Sequence, residues 1–291
     1  MTTRQELQQR IGALELSRDL LDSEIAEARA ALRKIEEGIE KKWRENPFAA
    51  DRATKSLAAY FRELGYFLVG CENLNTETPF YQISKQIWKQ QEVVRPFLRA
   101  LFKHRAVPFV YPLTDVPADR KNSLINLCKV MQNNEWMTFS HDKSELRIQP
   151  SFPKSKLSFL NGGWAEDANR YFVYKVLGDY AKNHKLKYKV FWDVRLKQID
   201  SDKNNSNDMQ LDLVAQINDF YYVFETKSGT LGLQKWVERA AIFNLHRNRF
   251  LICSAAPVPL DPAFFKPYRL LTLDRLEEEL PKLLDADLKE P

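Results

Sequence analysis

Residues 210–229 read QLDLVAQINDFYYVFETKSG: two largely apolar runs around Asn218-Asp219. The runs predict two antiparallel strands, with the Asn-Asp pair supplying a turn. If Ile217 lies opposite Phe220, the ladder places Asp212 opposite Glu225, with Cβ atoms about 5 Å apart. Lys227, two residues past Glu225, points to the same face. Two carboxylates and an amine therefore converge on a hairpin otherwise built for burial. Opposed carboxylates repel, and charges on a buried strand are costly unless compensated. A divalent cation reverses that penalty. Mg²⁺ typically takes one or two carboxylates, with water and phosphate oxygens completing its shell. It can polarise a phosphate and lower the pKa of bound water, while Lys227 orients that water or stabilises developing negative charge. The plain alternative is an Asp–Lys–Glu ion-pair cluster at the end of a sheet.

Working outward, Trp164, Ala168, Phe172 and Val176 mark a helix over 164–183, and 187–196 alternates as a strand. The polar run DSDKNNSND (200–208) predicts a loop. After the hairpin come a helix over 233–246 and a short buried strand over 249–255. Mixed order around a hairpin argues for an α/β sheet covered by helices.

The order of these residues resembles the PD-(D/E)XK nuclease superfamily: an acidic residue on an early helix, Asp opening a hairpin, then Glu-X-Lys on its second strand. Glu225-Thr226-Lys227 matches the last element and Asp212 the one before it. FLNGGWAED (159–167) resembles the opening of the nuclease module of CRISPR ancillary effectors, those activated by cyclic oligoadenylates through a CARF sensor, where a Gly-Gly-Trp-X-Glu run begins the first helix. The resemblance covers roughly residues 156–255. It implies a restriction-endonuclease-like mixed sheet and Mg²⁺ or Mn²⁺ as cofactor. It also implies Glu166, Asp212, Glu225 and Thr226 as metal-site residues, with Lys227 catalytic. Gln234, early in the following helix, stands where superfamily members often place a polar residue facing the site; an ordinary solvated helix start reads the same way. Two departures stand out. Gln210 occupies a position where those effectors commonly carry Glu. Residues 1–150 lack the pattern of a CARF sensor, so activation by cyclic nucleotides is not expected.

The preceding sequence predicts two further modules. Over residues 5–45, Leu7, Ile11, Leu14, Leu21, Ile25, Ala28, Leu32, Ile35 and Ile39 recur at steps of four and three, with Arg18 the interruption, and Asn46-Pro47 ends the run. Spacing near 3.5 over several heptads signals a coiled coil; the alternative is a helix folded back on a second one over 52–69. Polar CENLNTETP follows as a loop. Helices over 92–105 and 120–134, then a hairpin over 135–150, are compatible with a small winged-helix module or with a helical connector. Residues 81–150 carry 11 Lys/Arg against 6 Asp/Glu, which concentrates the chain's net charge of +5 there and hints at nucleic acid. Lys182, Lys185, Lys187 and Lys189 are further candidates for phosphate contact.

Cys71, Cys128 and Cys253 form no Cys-X-X-Cys pair, and the four histidines show no metal-site spacing. That argues against a zinc ribbon or disulfide framework and for a reducing, cytoplasmic setting. No apolar run reaches membrane-spanning length. The expected organisation is a coiled-coil helix (1–50), a helical or winged-helix-like module (51–150) and a nuclease-like domain (151–291). The expected function is metal-dependent hydrolysis of DNA or RNA by a homodimer or higher homo-oligomer joined through residues 7–39. The rival expectations are a dimeric nucleic-acid-binding or regulatory protein with an inactive nuclease fold, and a scaffold that recruits a partner.

Overall fold

The computed structural model describes residues 4–73, 81–105, 107–152, 157–199, 208–228, 239, 241, 249–255, 269–273 and 275–289. These fall into two compact units, one drawn from 1–69 with 196–208, the other from 70–195 with 209–291.

In the first unit, α1 (Arg4–Arg44) is one helix, as its periodicity predicts. Its apolar series stays uncovered by the chain: Ile11, Leu14, Leu21, Ile25, Leu32 and Ile35 are all about half or more exposed. The folded-back packing against 52–69 is confined to the helix end, where Arg62 pairs with Glu40 at 2.6 Å and lies 4.8 Å over the Trp43 ring. Asn46 closes the run. Its side chain accepts from Phe48 N at the start of α2 (Pro47–Ala50) and donates to Leu68 O. The helix expected over 52–69 is shorter. It runs as α3 (Lys55–Glu63), and β1 (Tyr66–Asn73) follows, absorbing part of the expected CENLNTETP loop. Gly65, at φ +84°, is the break: a left-handed residue just past a helix end is the usual stop, and Tyr-Phe-Leu-Val beyond it suits a strand.

The second unit opens with α4 (Tyr81–Lys89), α5 (Gln91–Lys103), β2 (Phe109–Pro112) and α6 (Ala118–Asn133), then β3 (Met137–His141) and β4 (Glu145–Pro150). The hairpin of β3 and β4 is where the sequence places it; β2 was unforeseen and pairs antiparallel with β4, giving the order β2-β4-β3. A π-helical turn (Phe159–Gly163) leads into α7 (Trp164–His184), whose expected core positions Trp164, Ala168, Phe172 and Val176 are all buried. The strands β5 (Tyr188–Gln198), β6 (Met209–Ile217), β7 (Phe220–Lys227), β8 (Phe250–Ser254) and β9 (Arg269–Thr272) follow, and α8 (Leu276–Lys289) ends the unit.

With β1 these strands form a six-stranded sheet ordered β1-β5-β6-β7-β8-β9. β6 and β7 are antiparallel, whereas β7, β8 and β9 run parallel, so the chain is α/β with a mixed sheet and flanking helices. The hairpin register is the expected one, from Leu213↔Phe224 to Ile217↔Phe220, with Asn218 turning at φ +50°. Every residue of β8 is buried, as expected of a parallel strand covered on both faces. One apolar core joins α4, α5 and α6 to α7, the sheet and α8. Residues 200–207 of the expected loop and most of the helix expected over 233–246 lie outside the described residues.

Candidate functional site

The site is built at the end of β7, where β6, β7 and α7 meet. Extending the observed register one step past Leu213 sets Asp212 level with Glu225. Asp212 does more than face its neighbour: its Oδ2 accepts from Thr226 N at 2.7 Å. Lys227 lies on the same side as Glu225, with Nζ 3.6 Å from Oε2. Thr226 points the other way and its Oγ1 accepts from Asn169 Nδ2 at 2.9 Å, tying β7 to α7.

The Gly-Gly-Trp-X-Glu run has a physical explanation here. Gly162 adopts φ +131°, and a Cβ on it would fall 2.5 Å from Ser228 Oγ. A glycine is therefore needed on two counts, backbone conformation and close approach. The turn presses the start of α7 against the residue that follows Lys227, and so brings Glu166, on the first turn of α7, to the carboxylate cluster. Asp167, beside it, is buried and accepts from Ser84 Oγ of α4 at 2.9 Å.

Electrostatics distinguishes the members. Glu225 is 1% exposed, and burial pushes its carboxyl up to about 8, with the charge of Asp212 adding to the effect and Arg239 and Lys227 opposing it. Glu166 is also held above the ordinary carboxylate range, by burial first and then by Asp212, against Arg170 and Lys227. The two shifts place Glu166, Asp212, Glu225 and Lys227 within one another's fields. Cys253, wholly buried beside them, has its thiol pushed far up by burial and is inert.

Three participants were not singled out from the sequence. Arg239 Nη1 donates to Glu225 Oε1 at 2.8 Å and to Gln210 O at 3.2 Å. Arg170 stacks 3.8 Å from the Trp192 ring centroid and lies 3.8 Å from Glu166 and 3.9 Å from Asp167. Asp193, on β5, accepts from Gln210 Nε2 at 2.7 Å, so a carboxylate stands beside the position where a Glu was expected. Arg170 was discoverable, four residues after Glu166 on one helix face. Arg239 and Asp193 come from separate elements and leave no local signal. Gln234 lies outside the described residues.

The expected metal-site residues are Glu166, Asp212, Glu225 and Thr226. Among the described residues no three His, Cys, Asp or Glu side chains gather as a metal-holding group. Arg239 and Lys227 stand against the two Glu225 oxygens, and Thr226 N donates to one of Asp212. The donor chemistry nonetheless suits a hard divalent cation, because burial and the charge of Asp212 both disfavour a charged Glu225, and such an ion would offset that penalty.

The fold is that of an α/β protein with a mixed, helix-flanked sheet. It is similar to the crystal structure of protein VC1899 from Vibrio cholerae, with a TM-score of 0.53 at 15% sequence identity, over 79% of this chain and 61% of that one. This chain thus spans less than two thirds of that protein, and the likeness is one of fold. No protein-family model matches the sequence, nor does any curated protein. Among the described residues no helix is long and apolar enough to cross a membrane.

Proposed function

We propose that this chain is a metal-dependent nuclease that hydrolyses phosphodiester bonds in DNA or RNA. In this reading the six-stranded sheet is a restriction-endonuclease-like domain, the segment with β2, β3 and β4 is a winged-helix-like module, and α1 is a coiled-coil arm that joins two or more copies. The observation that carries it is the meeting of Glu225, Lys227 and Asp212 at the end of β7, with Glu225 buried and its carboxyl raised to about 8. A buried carboxylate beside a second acid and an amine fits a site that awaits a cation and a phosphate better than one that holds the sheet together.

Asp212 and Glu225 would hold Mg²⁺ or Mn²⁺, with Glu166 and Thr226 bordering it; the ion supplies Lewis acidity toward phosphate and an acidified water. The chain's own groups do the rest. Lys227, fixed beside Glu225, presents a positive charge toward the phosphodiester and stabilises the charge that develops on it. Asp212, by holding Thr226 N, fixes the register of that strand end. Arg170, anchored on Trp192, balances Glu166. The second reading, a nucleic-acid-binding protein with an inactive nuclease fold, is favoured by one observation: Arg239 already occupies Glu225.

A cleavage panel separates the readings. Purified protein incubated with single- and double-stranded DNA and RNA should cut at least one substrate with Mg²⁺ or Mn²⁺ and none in EDTA. Binding without cleavage under every metal condition would leave the second reading.

A further inference from the structure

A cleft of about 390 Å³ opens beside Lys227, lined among others by Arg95, Arg99, Phe102, Gly162, Trp164 and Ser228. Its walls come from elements that already shape the catalytic end of the sheet. Arg95, Arg99 and Phe102 lie at steps of four and three on α5, which puts them on one helix face. Gly162 and Trp164 belong to the turn that seats Glu166. Ser228 is the residue after Lys227, and Arg95 Nη2 donates to its carbonyl oxygen at 3.1 Å. Ser228 thus links the cleft to the site residue that precedes it in the chain.

Elsewhere in the same unit Arg120, Arg147, Arg170, Arg239, Arg249 and Arg269 each stand beside a carboxylate. Among the described residues neither Arg95 nor Arg99 makes an ion pair. They sit one helical turn apart, where like charges repel. The repulsion registers on Arg95, whose guanidinium is lowered by burial first and by Arg99 second. Two such groups kept together without an anion suit a ligand that brings one, and phosphate is the anion a guanidinium fork grips best. Phe102 lines the cleft and is only half-buried, so part of its apolar ring is open to a nucleobase, beside the Arg105 guanidinium 5.6 Å over the ring. The volume lies within the ~300–1,000 Å³ of small-molecule pockets, a size that suits one splayed-out nucleotide.

We propose that Arg95 and Arg99 clamp a backbone phosphate of a single-stranded nucleic acid, next to the phosphodiester presented to Lys227, with Phe102 stacking the attached base. The nuclease reading supplies the scissile neighbour; the clamp itself is a binding site and can be tested without cleavage.

The test is fluorescence anisotropy of a short fluorescein-labelled single-stranded oligodeoxynucleotide and of its duplex, in EDTA, with the full chain. Arg99 is exposed, so Arg99→Glu should fold like the wild type by circular dichroism. It should weaken single-strand binding by roughly tenfold or more and flatten the salt dependence by about one phosphate contact. Arg99→Lys should recover part of the loss. Lys182→Glu, an equal change of charge on the rival basic run, should cost less than about threefold. Equal losses from Lys182→Glu and Arg99→Glu, or no loss from Arg99→Glu, would overturn the clamp. A duplex bound as tightly as the single strand and weakened equally would overturn the single-strand assignment. If binding follows the clamp pattern while no metal supports cleavage, the clamp stands and the nuclease reading falls.

Discussion

Glu225 is the residue on which the chemistry turns, and its raised carboxyl makes a prediction with a definite sign. An unfolded Glu releases its proton near 4.5, whereas the folded one holds it to about 8. Between those values the native state binds the extra proton, so the contribution of this group to stability is whole below about 4.5 and is lost as pH rises toward 8. In metal-free protein, Glu225→Gln should therefore raise the thermal midpoint more at pH 8.5 than at pH 5. An equal shift at both values would show that the carboxyl is not buried in its neutral form. Gly162 makes a second residue-scale prediction. Gly162→Ala combines φ +131° with a clash at Ser228 Oγ, and should cost about 1–3 kcal/mol in chemical denaturation. Because the turn seats Glu166, cleavage should fall further than the lost stability accounts for. Both residues were legible in the sequence, Glu225 from its place on an apolar strand and Gly162 only as part of a motif. The reason for Gly162 needs Ser228, sixty-six positions away in the chain, and no local pattern carries that contact.

At the scale of elements, part of the fold is legible from local spacing, although the helices Tyr81–Lys89 and Leu276–Lys289 are not among the elements the sequence predicts. The α1 periodicity, the β6–β7 register, the core face of α7 and the β3–β4 hairpin all follow from spacing alone. The strands that spacing does not reveal are those that tertiary pairing decides. Tyr66–Asn73 is a strand because it joins the edge of a sheet whose other strands lie more than a hundred residues on; by itself YFLV extends a helix plausibly. β2 is short and carries a proline, and is fixed by β4. The exposed seam of α1 remains the element with an unanswered partner. A row of apolar side chains of this length is uncommon on a soluble monomer, and a second copy is the simplest cover. Replacing Leu14, Ile25 and Leu32 with Asp should leave the α/β unit folded and convert an oligomer to a monomer by light scattering. Cleavage of both strands of a duplex should then fall more than nicking. A wild-type monomer at micromolar concentration would remove self-association and leave the site untouched.

For the whole molecule, the proposed nuclease function rests on the acid residues at the end of β7, with Glu225 buried and Asp212 and Glu166 partly so. The two arginines missing from the sequence reading show what the fold adds. Arg239 and Arg170 stand beside Glu225 and Glu166, at 2.8 Å and 3.8 Å. A metal ion must then compete with Arg239, and Arg239→Ala should lower the Mn²⁺ concentration needed for activity while making the metal-free protein less stable; an unchanged metal titration would mean that Arg239 is not in competition. The central claim is tested most directly by measuring Mn²⁺ binding and cleavage together in Asp212→Ala and Lys227→Ala. The account predicts that Asp212→Ala loses both, whereas Lys227→Ala binds the ion nearly as the wild type does and cuts at least about a hundredfold more slowly. Wild-type cleavage by both variants would contradict it.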